Sequence, residues 1–189
     1  FVDSIKIVLG LSMVLSSVFT YLWLSKIFNK KSAFFGALLY LYNPYHLFDI
    51  YKRGSVGEIL ALAVIPFVFW TIERKDKILL PLSIALLILS HNTLAILFFP
   101  LIIIYMLIRG IFGLKDLITI TILGLLLSAF FWIPAIFDLQ FTVFSQIKVS
   151  DWQNYFVDIN LIGLSTIIVF ILTLAVFIIK EKSRISKNM

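Results

Sequence analysis

The 189-residue sequence contains no cysteine and only two histidines, His46 and His91. The lack of cysteine excludes disulfides, thiolate metal sites and thiol catalysis. Two distant histidines do not make a zinc motif. The sequence also has no phosphate-binding glycine loop, no nucleophile elbow and no zinc-protease motif. We therefore expect neither a metal nor a cofactor.

Charged residues are scarce as well. They make up 14% of the chain, against 61% hydrophobic residues, and the mean hydropathy is +1.07. No soluble globular domain of this length has such a composition, so we predict an integral membrane protein. The net charge of +6 is not gathered with aromatics on a soluble face, so the expected partner is the lipid bilayer and no nucleic acid.

Seven apolar segments predict an all-α polytopic transmembrane helical bundle, a single membrane domain over residues 1–189. The segments lie near residues 5–25, 32–48, 57–71, 78–90, 93–108, 117–137 and 160–179. A crossing helix needs about 20 residues, a length that only the first, sixth and seventh segments reach. We expect a turn at His91 and Asn92 between the fourth and fifth segments, and an external loop over 138–159.

Most of the 16 basic residues follow the odd-numbered segments. Because cytoplasmic loops are enriched in Lys and Arg, this predicts a multi-pass protein of the cell membrane with an extracytoplasmic N-terminus and a cytoplasmic C-terminus. The basic residues on the cytoplasmic side are interpreted as topology signals alone. The first segment starts almost at residue 1, without an initiator Met, so we expect the chain to be truncated at its N-terminus.

The stretch 42–58 gathers ionisable residues on the predicted external side. If residues 45–53 are helical, Tyr45, Asp49 and Arg53 share one face, because they are spaced four residues apart. The planar fork of Arg53 suits a phosphate or a carboxylate. The alternative is an ion pair with Asp49 or Glu58 that only fixes the loop.

Three further residues on the predicted external side are candidates as well. Glu58 either complements a helix N-terminus or partners Arg53. His91 either contacts a phosphate, acts as an acid or base, or is solvated at the interface. Asn92 is expected to cap the helix that follows it.

The order of several short motifs resembles a known family. Asn43-Pro44-Tyr45 is followed by Asp49-Ile50-Tyr51-Lys52-Arg53-Gly54, Gly57-Glu58, Ser90-His91-Asn92-Thr93 and Ala129-Phe130-Phe131-Trp132-Ile133-Pro134-Ala135. Over about residues 6–138 this resembles the prokaryotic membrane proteins labelled 6-pyruvoyl-tetrahydropterin synthase-related. These are similar in turn to YfhO-like membrane proteins and to the GT-C class of glycosyltransferases. The chain lacks the three-histidine zinc site of soluble pterin synthases.

The resemblance implies a GT-C-like fold that transfers sugar from a polyprenyl-phosphate donor at the extracytoplasmic face. The residues expected to bind the lipid phosphate are Arg53, His91 and Lys52. The residues expected to support them are Asp49, Glu58, Tyr45 and Asn92. The catalytic carboxylate of that class typically follows the first span. This chain is expected to begin beyond it, so no catalytic residue is named.

A second hypothesis is a non-catalytic membrane protein, either a transporter of lipid-linked intermediates or an assembly scaffold. Its external basic residues would then only hold a lipid head group.

Overall fold

A computed structural model describes residues 2–142, 167–168 and 170–171. All of the secondary structure in these residues is helical, which confirms the all-α prediction. The elements are α1 (Val2–Ile27), α2 (Lys30–Leu41), α3 (Pro44–Phe48), a π-helix (Asp49–Arg53), α4 (Val56–Glu73), α5 (Leu79–Ser90), α6 (Asn92–Arg109), α7 (Leu114–Leu127), α8 (Ala129–Asp138) and a short 3₁₀ helix (Leu139–Phe141). Most of the predicted loop 138–159 and of the segment 160–179 lies outside the described residues.

Helix α4 is the centre of the bundle. It packs against α1, α5 and α6, while α7 packs on the far side of α5. More than half of its apolar stretch is buried inside the protein. The shared core is built from aliphatic side chains such as Val68, Ile72, Ile84 and Ile102. A helix that is apolar around most of its circumference is expected to be enclosed by other helices.

Helix α1 meets its neighbours through small polar residues. Its buried residues are Ser12, Ser16 and Thr20, spaced four apart along one face. Each hydroxyl bonds a carbonyl of the same helix, as in the 2.7 Å bond from Thr20 to Ser16, so no polar group is left unpaired. Valine and leucine side chains on other faces are exposed, including Val14 and Val18. Small residues at the helix contact and apolar ones outside are typical of membrane helices.

Among the described residues three helices, α1, α4 and α6, are long and apolar enough to cross a membrane. Helices α7 and α8 would add a fourth crossing if they form one bent span. Helix α5 is apolar but has 12 residues, fewer than a flat bilayer requires. Membrane insertion thus agrees with the structure, whereas the count of about seven spans stays a prediction.

Two predicted segments differ from single straight helices. Segment 32–48 is divided between α2 and α3, because Asn43 caps α3 by accepting from the Tyr45 N–H at 2.9 Å, with Pro44 at the first helical position. Segment 117–137 bends by 67° between α7 and α8. There the hydroxyl of Ser128 and the indole N–H of Trp132 bond the last carbonyls of α7. These bonds satisfy carbonyl oxygens that lose their partners within the helix where α7 ends.

Candidate functional site

The predicted helical face at residues 45–53 is present, but half of it is a π-helix. Helix α3 runs on into the π-helix, whose last carbonyl-to-amide bond joins Asp49 O to the Gly54 N–H at 2.7 Å. Gly54 ends it with φ +62°, a left-handed conformation that favours glycine. The chain then reverses into α4 at Val56. This turn brings Glu58 back to the face that carries Arg53.

Four side chains form what we call the Arg53 cluster: Tyr45, Asp49, Arg53 and Glu58. Arg53 Nη1 lies 2.9 Å from Glu58 Oε2 and 3.5 Å from Asp49 Oδ1. It also donates to the Tyr45 hydroxyl oxygen at 3.2 Å. The Tyr45 hydroxyl donates in turn to Glu58 Oε1. Arg53 therefore forms ion pairs with both acids, whereas the sequence left an ion pair with Asp49 or Glu58 as one of two alternatives.

The cluster is buried on its acidic side and open on its basic side. The side chains of Asp49 and Glu58 are 0% and 5% exposed, whereas that of Arg53 is 46% exposed. Every hydrogen bond and ion pair of Arg53 found within the described residues uses Nη1. Its remaining N–H groups are thus available to an acceptor from outside.

Two carboxyl groups share the single guanidinium, and this changes the titration of Asp49. Burial, and secondly the nearby charge of Glu58, raise the pKa of Asp49 to about 6. Arg53 opposes this shift only in part. Within the described residues Asp49 Oδ2 has no hydrogen-bond partner. The same burial and the bond to Glu58 raise the pKa of Tyr45 to about 12.

We expect Asp49→Asn to raise the melting temperature of the detergent-solubilised chain at pH 7.5. A folded pKa above the unfolded value means that ionised Asp49 destabilises the fold at high pH. This cost disappears as the pH falls through about 6 toward the unfolded pKa near 4. One pKa unit corresponds to about 1.4 kcal/mol, so the rise in pKa from 3.8 to about 6 corresponds to a gain of roughly 3 kcal/mol at pH 7.5. Melting curves at pH 7.5, 6 and 4.5 should show the gain shrinking.

The matched control is Asp138→Asn, which makes the same change at an exposed carboxyl. It should alter the melting temperature little at any of the three pH values. An Asp49→Asn gain that is the same at pH 4.5 and 7.5 would contradict the assigned titration.

His91 lies beside the N-terminal end of α4. A Cβ added at Gly57 would meet the Ser90 carbonyl oxygen at 2.7 Å and His91 Cδ2 at 3.7 Å. Only glycine allows so close an approach. The structure therefore places His91 next to the residue that precedes Glu58.

The cap of α6 is His91 rather than Asn92, so that prediction was wrong. His91 Nδ1 accepts from the Leu94 N–H at 3.2 Å, and α6 already begins at Asn92. Asn92 is exposed and its Oδ1 accepts from the Thr93 N–H at 2.9 Å. Since Nδ1 of His91 accepts, Nε2 is the ring nitrogen that can donate, and no bond to it is found within the described residues.

Lys52 is not part of the Arg53 cluster. Its ammonium lies 5.8 Å from the centroid of the Phe48 ring, and the residue is exposed. This contact is a weak cation–π interaction. Lys52 can add positive charge near the site, but among the described residues it shares no ion pair with Asp49 or Glu58.

An apolar cleft of about 630 Å³ opens beyond His91, between α6 and α8. Asn92 is the one side chain of its lining that carries a hydrogen-bonding amide. The rest of the lining is Ile88, Ala95, Ile96, Phe99, Pro100, Leu125, Phe131, Trp132, Ala135, Ile136 and Leu139. Helix α8, which forms one wall of the cleft, has no buried residue of its own.

Comparison with protein-family models, curated proteins and solved structures finds no match. The resemblance to GT-C-like membrane proteins therefore stays a prediction from the sequence motifs. Within residues 2–142 and the four described residues beyond them, no three His, Asp or Glu side chains could hold a metal ion together.

Sequence reasoning missed a second polar network, at the other end of α4. Glu73 accepts from Arg109 Nε and Nη2 at 2.8 and 2.7 Å, and from the Tyr105 hydroxyl at 2.5 Å. The indole of Trp23 donates to the Tyr105 oxygen at 3.2 Å. Glu73 and Glu58 are separated by about 22 Å along the helix, at 1.5 Å per residue. Arg109 thus ties α6 to α4, rather than serving as a topology signal alone.

Proposed function

We propose that the Arg53 cluster and the apolar cleft together bind a polyprenyl-phosphate-linked sugar, and that the chain is the central membrane part of a GT-C-like glycosyltransferase. The observation that carries the proposal is the half-exposed guanidinium of Arg53, held from behind by buried Glu58 at 2.9 Å. A guanidinium fixed on one nitrogen can offer its other N–H groups to a phosphate without losing its orientation.

The two parts of the proposed ligand have different requirements, and neighbouring surfaces meet both. The phosphate needs positive charge and donors, which Arg53 and the Nε2–H of His91 would supply. The isoprenoid chain needs an apolar groove, and the cleft begins at Asn92, the residue after His91. A volume of about 630 Å³ falls within the range usual for small-molecule sites.

In the proposed reaction an acceptor hydroxyl attacks the anomeric carbon of the sugar. The bond between that carbon and the phosphate oxygen breaks, and polyprenyl phosphate leaves with its electron pair. The acceptor proton passes to a base. Arg53 would stabilise the negative charge that develops on the leaving phosphate. Both acids of the cluster are buried behind Arg53, so the base belongs elsewhere.

That burial also favours the second candidate, a membrane protein that holds the lipid-linked sugar without transferring it. Neither carboxyl of the Arg53 cluster is exposed to act as a catalytic base, and a site that only binds the lipid-linked sugar needs no such base. The two candidates share the ligand and differ only in the transfer step.

We expect Arg53→Lys to weaken binding of a short-chain polyprenyl-phosphate analogue to the detergent-solubilised chain by about tenfold. A point charge replaces the planar fork, and one charge-assisted hydrogen bond lost corresponds to roughly that factor. Titration by microscale thermophoresis would measure it. The matched control is Lys6→Gln, which changes an exposed cation on the same predicted side.

Equal affinity of Arg53→Lys and the unaltered chain would make Arg53 a structural ion-pair partner. Transfer from the sugar-bearing donor by the full-length protein, lost in Arg53→Ala, would support the enzyme. Donor binding without transfer to any acceptor would support the second candidate.

A further inference from the structure

The C-terminal ends of α1 and α4 enclose a second cavity, which we call the basic notch. It measures about 560 Å³. Three of its lining residues are cationic, namely Lys26, Arg74 and Lys75; the others are Leu22, Ser25, Trp70 and Glu73. The notch lies at the end of α4 that is farther from the Arg53 cluster, so it is a separate site.

The positive charge of the notch is not neutralised from within. Its one acid, Glu73, accepts both of its Arg109 hydrogen bonds at under 3 Å and so is already compensated. Arg74 has a longer ion pair of 3.7 Å with Asp76. Lys26 and Lys75 form no ion pair within the described residues. The notch therefore carries a net positive charge that an anion would complement.

Lys75 stands where a glycine is expected. Helix α4 ends in a Schellman motif, in which Asp76 N–H bonds Thr71 O and Lys75 N–H bonds Ile72 O. In this motif the residue that donates the second of these bonds takes a left-handed conformation. That residue is Lys75, whose φ is +57°. Glycine adopts this conformation without strain and lysine does not. The end of α4 therefore holds a lysine, where glycine is usual, at the rim of the basic notch.

A purely structural alternative is that cations at helix C-termini only complement the helix dipole. It accounts for Lys26, which lies in the last turn of α1. It does not account for the guanidinium of Arg74, which lies 4.7 Å from the centroid of the Trp70 ring. Such stacking holds the planar group with its N–H edges open to an anion.

The position of the notch indicates which anion. α1 and α4 are two of the candidate membrane-spanning helices, and the notch lies where both end. The ends of a crossing helix are the parts that meet the lipid head groups. Below the notch Phe19, Phe67 and Trp70 form an aromatic cluster, with ring centroids 4.6 Å apart for the two phenylalanines. We propose that the basic notch binds the phosphate of an anionic phospholipid, whose acyl chains lie along this aromatic cluster. Basic cavities between membrane helices are known to hold anionic lipid head groups.

The test is native mass spectrometry of the chain with phosphatidylglycerol and with phosphatidylcholine. Both lipids carry a phosphate, but only the first is anionic. We expect retention of phosphatidylglycerol, and its affinity should fall roughly a hundredfold in Lys26→Gln/Arg74→Gln/Lys75→Gln, as three cations are removed. The control Lys30→Gln/Lys31→Gln/Lys115→Gln removes equal charge outside the notch and should stay within about twofold. Equal losses in both variants, or equal retention of both lipids, would overturn the proposal.

A second arm separates the lipid from free phosphate. Inorganic phosphate at millimolar concentration should not displace the bound lipid; displacement would overturn the lipid assignment. A single variant, Lys75→Gly, should raise the melting temperature by relieving strain, and should lower phosphatidylglycerol affinity about fivefold. If it stabilises the fold and leaves affinity unchanged, Lys75 does not contact the lipid and the proposal fails.

Discussion

Replacing Gly57 by alanine should destabilise the protein by about 1–3 kcal/mol, the usual cost of overpacking. The new methyl group would lie 2.7 Å from the carbonyl oxygen of Ser90, well inside van der Waals contact. Because that oxygen belongs to the backbone at the end of α5, it cannot rotate away. The helices must separate, and His91 would move with them away from Glu58. A lower melting temperature and weaker binding of the polyprenyl-phosphate analogue should appear together.

The same substitution at Gly10 is a matched control with the opposite expected sign. Gly10 lies within α1, and an added Cβ would meet no atom within 4 Å. Alanine there should stabilise the helix by about 0.5–1 kcal/mol. If Gly57→Ala were as stable as Gly10→Ala, the close approach of α4 to Ser90 would be refuted.

Glu73→Gln should lower the free energy of unfolding by roughly 2–3 kcal/mol, the contribution of hydrogen bonds to a charged, buried acceptor. The carboxylate accepts three hydrogen bonds and its side chain is 5% exposed. An amide offers one accepting oxygen and turns its N–H₂ group toward Arg109, which is also a donor. Thermal or denaturant unfolding in detergent would measure the loss.

The exposed pair of Lys77 and Asp116 provides the comparison. Its two side chains are 59% and 41% exposed, so Asp116→Asn should change stability by less than about 1 kcal/mol. Tyr105→Phe should cost about 1 kcal/mol, since it removes one bond to Glu73. Equal effects of Glu73→Gln and Asp116→Asn would mean that the network does not hold α4 to α6.

The Arg53 cluster could be predicted in part because helical spacing is visible in a sequence. Tyr45, Asp49 and Arg53 recur at intervals of four residues, and an α-helix places residues at this interval on one face. Glu58 follows no such interval from Arg53. Its contact depends on the reversal at Gly54, whose geometry the sequence only suggests. The burial of Asp49 and Glu58 beside a half-exposed Arg53 could not be predicted, because it depends on how α4 packs.

The Glu73 network was missed because its partners are distant in the chain. Trp23 and Tyr105 are 82 residues apart, and Glu73 and Arg109 are 36 apart. No periodicity connects such positions. One signal was available: Glu73 follows the apolar segment 57–71 and Arg109 follows the segment 93–108, and both segment ends were predicted on the same side. Opposite charges at neighbouring helix ends favour pairing, and a search for such pairs would have found this one.

The bend after Ser128 was also missed, since residues 117–137 form one apolar run. The run contains neither glycine nor proline at the break, and Pro134 lies further on. The bend is stabilised by side chains that bond α7 carbonyls, Ser128 and Trp132. Hydrophobicity alone carries no information about such bonds.

The direction in which the Arg53 side chain points depends on how many residues the π-helix Asp49–Arg53 contains. A π turn holds one residue more than an α turn, and each residue of an α-helix advances the side-chain direction by about 100°. Shortening this segment by one residue to a regular α turn would rotate Arg53 through about a quarter circle while leaving every side chain of the cluster in the sequence. The length of the π-helix therefore sets the orientation of Arg53, whereas the residue types of the cluster set its chemistry.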